Sequence, residues 1–134
     1  MTLRREDKDT LITFRLQRAK ETLIEAKGNM ELKFWRVVAN RLYYACFYAA
    51  SALLIKEGIT AHTHSGIISQ LGLHFVKKGL ISTEQGKLYG KLFSLRQTGD
   101  YSDRISISEQ DVLPLIEPAE KFIAEIETLI NNNS

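Results

Sequence analysis

Residues 32–56 read LKFWRVVANRLYYACFYAASALLIK, and within them Leu32, Trp35, Ala39, Leu42, Cys46, Ala49 and Leu53 recur at successive steps of three or four. That spacing lines one face of an α-helix. The opposite side is not polar either: Tyr44, Ala45, Tyr48, Ala52 and Ile55 make it apolar or aromatic, and no charge stands between Arg41 and Lys56. A helix that is greasy on both sides has to be covered on both sides. This places it at the centre of a helical bundle, or in a bundle shared with a second subunit. A membrane span is the weaker reading, because the uncharged run 42–55 falls short of the ~20 residues a bilayer requires. Tyr43, Tyr44, Tyr48 and Ser51 also suit lipid poorly.

Working outward from this segment, the same rhythm recurs on both sides. Ile12, Leu16, Ala19, Leu23 and Ala26 predict an amphipathic helix from Asp9 to about Lys27, with Gly28-Asn29 as a stop or a brief turn. Gly58 closes the central helix, and Thr63 or Ser65 caps a third whose buried face is Ile67, Ile68, Leu71 and Phe75. Lys77-Lys78-Gly79 ends that helix, and Ser82 or Thr83 caps a fourth running through Leu88, Leu92 and Leu95. A last amphipathic helix carries Val112, Leu115, Ile116, Ala119, Phe122, Ile123, Ile126 and Ile130. Pro114 and Pro118 predict a break or kink in it, since each lacks a backbone donor and crowds the preceding turn. Ile105-Ser106-Ile107 alternates over too short a stretch for a sheet. The expectation is an all-α fold, a compact antiparallel helical bundle of about five helices, as a single domain over residues 1–134.

Composition narrows the function classes. With 134 residues, 44% of them hydrophobic, the chain can bury a core without disulfides. Cys46, the only cysteine, lies in the apolar run and reads as a small buried hydrophobe. The first residues, MTLRREDKD, are charged from Arg4 and lack the apolar region of a secretory signal, so a cytoplasmic location is expected. The net charge of +2 hides a polarity: residues 1–101 carry 16 Lys/Arg against 9 Asp/Glu, and residues 102–134 carry 2 against 7. A basic face for nucleic acid, or an acidic last helix that neutralises basic neighbours, would each account for this.

The best candidate for chemistry is Leu95-Arg96-Gln97-Thr98-Gly99-Asp100-Tyr101, where a guanidinium, a carboxylate and a phenol fall within six residues. Gly99 commonly stops a helix, so Asp100 and Tyr101 are expected where the backbone turns away and the three groups can converge. A fixed cation suits phosphate, and the plainer alternative is a salt-bridged helix end with a packed tyrosine. Other motifs fail. Gly86-Lys87-Leu88-Tyr89-Gly90-Lys91 has the wrong glycine spacing for a phosphate loop and no Ser or Thr after its lysine; its glycines fit close helix packing better. His62, His64 and His74 lack supporting ligands at metal-binding spacing, so no metal and no cofactor is implied.

Taken in order, Asn40-Arg41-Leu42-Tyr43-Tyr44-Ala45-Cys46-Phe47-Tyr48, His64-Ser65-Gly66-Ile67-Ile68, Phe75-Val76-Lys77-Lys78-Gly79-Leu80 and Leu95 to Tyr101 resemble a HEPN domain from about Ala19 to Phe122. The chain is similar to small, mostly uncharacterised prokaryotic proteins of that family. The resemblance implies a helical bundle, usually a homodimer, often encoded beside a minimal nucleotidyltransferase and in some branches acting as a ribonuclease toxin. It also implies that Arg96 matches the arginine of the active ribonucleases, which is followed after four to six residues by a histidine. Here Asp100 and Tyr101 occupy that region, and no histidine follows His74. Cleavage of RNA without metal needs a base and an acid of pKa near the working pH; an ordinary Asp at ~4 and Tyr at ~10 are both poorly matched. His64 would replace the missing imidazole if the start of the third helix abuts Arg96, the alternative being that it caps or packs. Tyr101 is a modification candidate, because related systems attach AMP to a tyrosine in this neighbourhood.

Arg41, Tyr44 and Tyr48 share a helical face, so Arg41 and Tyr44 join Arg96 as candidate nucleotide- or RNA-binding residues, and Arg41 is expected to pair with Asp100. Three functions stay open. The leading one is a dimeric HEPN-type module that associates with a nucleotidyltransferase and binds nucleotide or RNA, with no membrane partner. The others are a metal-independent ribonuclease toxin, whose enzymatic status is uncertain without the usual histidine, and a non-catalytic accessory subunit.

Overall fold

The computed structural model describes residues 4–101 and 106–132. Five α-helices follow one another: α1 (Arg5–Glu31), α2 (Trp35–Lys56), α3 (His64–Leu71), α4 (Thr83–Tyr101) and α5 (Glu109–Asn132). No strand occurs among the described residues. The central helix is buried as its sequence requires. Val38, Ala39, Leu42, Tyr43, Ala45, Cys46, Ala49, Ala50, Ala52, Leu53 and Leu54 are all inaccessible, and α1, α4 and α5 pack around them. Each fully buried leucine contributes about 1.5–3 kcal/mol. Length and composition alone would let α2 cross a bilayer, but the chain itself covers it.

The terminators behave locally, with four corrections. Gly28-Asn29 does not stop α1, which continues to Glu31; the chain reverses at Leu32–Phe34, where Lys33 takes φ 61° and the Phe34 amide donates to the Asn29 carbonyl at 3.1 Å. Gly28 costs helix propensity without a clash, and that cost is too small to break a helix held by its buried face. The third predicted helix divides at Gly72, where α3 passes into a π-helical turn, Gly72–Val76, that still buries Phe75. Its end is as expected, at Gly79 with φ 77°.

The third correction is at Gly99, where α4 runs on to Tyr101. A Cβ on Gly99 would lie 3.2 Å from both Arg36 Cγ and Ile107 Cγ1, so the glycine is there for close packing and not for a turn. The fourth is the break expected at Pro114 or Pro118. Helix α5 spans both, and the two prolines sit one turn apart on its exposed side, where water can serve the carbonyls they leave unbonded. Of the other glycines, Gly86 packs as expected, since a Cβ there would meet Val76 at 3.1 Å; Gly90 has open space around it.

Capping follows side-chain chemistry. Thr63 Oγ1 accepts from the Gly66 amide at 2.9 Å to open α3. Ser82 and Gln85 bond reciprocally at the start of α4. The acidic tail finds its partners within the fold: Lys20 and Lys27 of α1 pair with Glu127 and Glu120 of α5. These exposed pairs are worth about 0–1 kcal/mol each and set charge balance more than stability.

Candidate functional site

Continuation of α4 through Gly99 puts Arg96 and Asp100 four residues apart on one helical face, turned toward α2. Arg96 is 7% exposed, far less than an arginine used only for solubility. Its Nη1 donates to the Tyr44 hydroxyl at 3.2 Å and lies 3.9 Å from Asp100 Oδ2. Its guanidinium carbon stands 5.2, 5.5 and 5.8 Å from the ring centres of Tyr43, Tyr44 and Tyr101. The Nε atom is buried with no hydrogen-bond partner among the described residues. Aromatic faces therefore hold the cation, while hydrogen bonding satisfies it only in part.

Asp100 is held from the other side by Asn40, whose Nδ2 donates to Oδ2 at 3.0 Å. Asn40 Oδ1 in turn accepts from Arg41 Nε at 3.0 Å and Nη2 at 2.7 Å, and Arg41 Nη1 reaches Glu25 of α1 at 3.2 Å. The expected pairing of Arg41 with Asp100 is thus corrected: Asn40 joins the two, and the carboxylate partner of Arg41 is Glu25. Arg41 also lies 5.4 Å above the Tyr44 ring, so Tyr44 carries a guanidinium from α2 and another from α4.

The third contribution comes from α3. His64, its first residue, is brought to the same cluster by the Thr63 cap, and its Nδ1 is hydrogen-bonded to the Tyr43 hydroxyl. The imidazole packs among Tyr43, Tyr44, Phe47 and Phe93 at centroid distances of 5.1–6.1 Å. Burial, and then the positive charge of Arg96, push its pKa below the usual histidine value, favouring the neutral ring. Burial pushes the Tyr43 phenol up to about 12. Tyr101, at the end of α4, is 76% exposed.

All the candidates except the outer edge of Tyr101 therefore converge on one corner formed by α2, α3 and α4. Two members were missed. Asn40 stands four residues before Tyr44 and so shares its face, a spacing that would have flagged it. Tyr43 points to the buried side of α2, and nothing local marks it as the partner of a residue on α3. A concavity of about 520 Å³ between the start of α4 and the prolines of α5 is lined by Leu88, Pro114, Pro118 and Lys121 among others and by none of the candidates.

A HEPN domain signature covers residues 12–129. The chain is 37% identical over 126 residues to a UPF0332 protein of Thermotoga maritima, covering 94% of this chain and 96% of that one. It is 35% identical over 108 residues to the provisionally named toxin MJ0605 of Methanocaldococcus jannaschii, at 81% and 80% coverage. The crystal structure of TT1696 from Thermus thermophilus superposes with a TM-score of 0.75 at 18% identity, over 87% of this chain and 96% of that one, a likeness of fold. With its signature spanning nearly the whole bundle, the chain belongs to the HEPN domain family.

Proposed function

We propose that this HEPN chain is a dimeric cytoplasmic module that engages a phosphate of RNA or of a nucleotide at Arg96 and works beside a nucleotidyltransferase partner. One observation carries the reading: among the described residues, a guanidinium only 7% exposed has a single hydrogen bond, a carboxylate 3.9 Å away and a buried Nε without a partner. A buried cation so incompletely matched is suited to an anion with several acceptor oxygens, and guanidinium matches phosphate in two-point geometry. Arg41 and Tyr44 supply a second cation and a stacking face beside Arg96. The partner and the dimer follow from the family resemblance, which also offers Tyr101 as the tyrosine that receives AMP; an intact-mass shift that persists in Tyr101→Phe rules that out. The decisive measurement is binding of AMP and of short RNA to the wild type and to Arg96→Met. Loss of binding in the variant supports the module, and equal binding refutes it. Binding of neither ligand by the wild type leaves a purely structural accessory subunit.

A second reading, a metal-independent ribonuclease toxin, is favoured by the contact of His64 with Tyr43 and Tyr44, which also surround Arg96. Relatives provisionally named toxins support it. In this reading His64 takes the acid–base part and Arg96 stabilises the phosphorane charge. Purified wild type that cleaves RNA no faster than His64→Ala and Arg96→Ala removes it.

A further inference from the structure

The aromatic and cationic surface does not end at Tyr44. One turn farther along α2, Tyr48 lies with its ring centre 6.3 Å from that of Tyr44, a step matching the rise of about 6 Å over four helical residues. Two arginines of α1 converge on it. Arg18 stands 5.2 Å from the Tyr48 ring centre and donates from Nη2 to its hydroxyl at 3.4 Å, while Arg15 stands 6.0 Å from the same ring. Arg18 is paired only at long range, with Glu21 at 4.0 Å, and Arg15 has no ion pair among the described residues, its Nε being buried without a partner. Phe14, one turn before Arg18 on α1, is 59% exposed and adds a further flat ring. The two clusters repeat one composition, a pair of arginines on a tyrosine: Arg41 and Arg96 on Tyr44, then Arg15 and Arg18 on Tyr48.

We infer that Arg15 and Arg18, stacked on Tyr48 beside Tyr44, form a second phosphate subsite, so that this face takes single-stranded oligonucleotide in preference to a lone nucleotide. The inference rests on the reading of Arg96 as a phosphate site. AMP carries one phosphate, whereas a strand carries one for each of the two clusters, which sit on tyrosines whose ring centres are 6.3 Å apart. A flexible strand places successive phosphates along such a row and stacks its bases on exposed aromatic rings. Duplex is the poorer fit, because its bases are stacked inside and unavailable to the exposed Phe14 ring. An acidic peptide offers carboxylates but no flat rings to stack.

The test compares AMP, a short unstructured oligoribonucleotide and polyglutamate on the full chain, using wild type, Arg96→Met and the double variant Arg15→Gln/Arg18→Gln. The double variant is expected to bind AMP as wild type does, to bind the oligonucleotide about tenfold or more weakly, and to lower the salt slope for single strands by about 1.4. Unchanged oligonucleotide affinity and salt slope in the double variant, with Arg96→Met still impaired, overturns the second subsite and leaves the Arg96 site standing. Polyglutamate binding as tightly as the oligonucleotide overturns the choice of nucleic acid. Wild type that binds neither AMP nor oligonucleotide overturns both readings.

Discussion

Replacing Arg96 by methionine separates a scaffold arginine from one retained for binding. Methionine keeps most of the aliphatic stem and removes the charge. The free protein then loses the hydrogen bond to Tyr44 at 3.2 Å, worth about 1.5–3 kcal/mol for a charged donor, and cation–π contacts worth about 1–2 kcal/mol. It is relieved of a buried Nε without a partner, about 1–3 kcal/mol, and of a guanidinium desolvation cost of several kcal/mol. What remains is not an orphaned buried charge: Asp100 is a quarter exposed and keeps its bond from Asn40 at 3.0 Å, so losing a partner 3.9 Å away costs it about 0–1 kcal/mol. These terms offset one another within their spread, so Arg96→Met is expected within about 2 kcal/mol of wild type. For a chain of this size that is a change of at most about 8 °C in Tm. Urea unfolding at pH 7 followed by circular dichroism, with a thermal scan alongside, reads it directly. A phosphate ligand at about 100 times its Kd should add about 2.7 kcal/mol to wild type and nothing to the variant. A loss of about 3–5 kcal/mol in the ligand-free variant would refute the reasoning, because that is the cost of breaking a well-matched buried pair.

Further outcomes follow from the same geometry. His64 has its pKa lowered in the fold, so the unfolded chain binds its proton more tightly; its contribution to stability is complete above about pH 6.5 and is lost as pH falls below that value. Urea midpoints from pH 7.5 to 5 should fall less steeply in His64→Gln, and parallel curves would contradict this. Gly28→Ala places a Cβ where nothing lies within 4 Å in the interior of α1, and is expected to stabilise by about 0.5–1 kcal/mol; a lower Tm would count against the uninterrupted helix. Cys46 is fully buried and its thiol is pushed up by burial, so a thiol reagent should label it only under denaturing conditions, and rapid labelling of the native protein would show that α2 is not enclosed.

Residue spacing alone carried the helical class, the two-sided burial of α2 and the cap positions to within Thr63 or Ser65 and Ser82 or Thr83, because helix periodicity and capping are interactions within a few residues of chain; the structure chose Thr63 and Ser82. The same locality explains the misreadings. Gly28, Gly99, Pro114 and Pro118 are weak or strong breakers by propensity, yet each lies inside a helix, because burial on the opposite face, or for Gly99 close packing at the glycine itself, outweighs a local cost. The resemblance to HEPN domains drew on the order of several short segments, and it located Arg96 without locating its surroundings.

The surroundings depend on packing. Arg96 on α4, Tyr43 and Tyr44 on α2 and His64 on α3 are separated by 20 residues or more between elements, and their contact depends on how the helices cross, which no local pattern encodes. Asn40 as the link between Arg41 and Asp100, and Arg15 with Arg18 over Tyr48, likewise arise from α1 and α4 packing against α2. Which residues are helical was decided by neighbours a turn away; which cations share a tyrosine was decided by neighbours across the core.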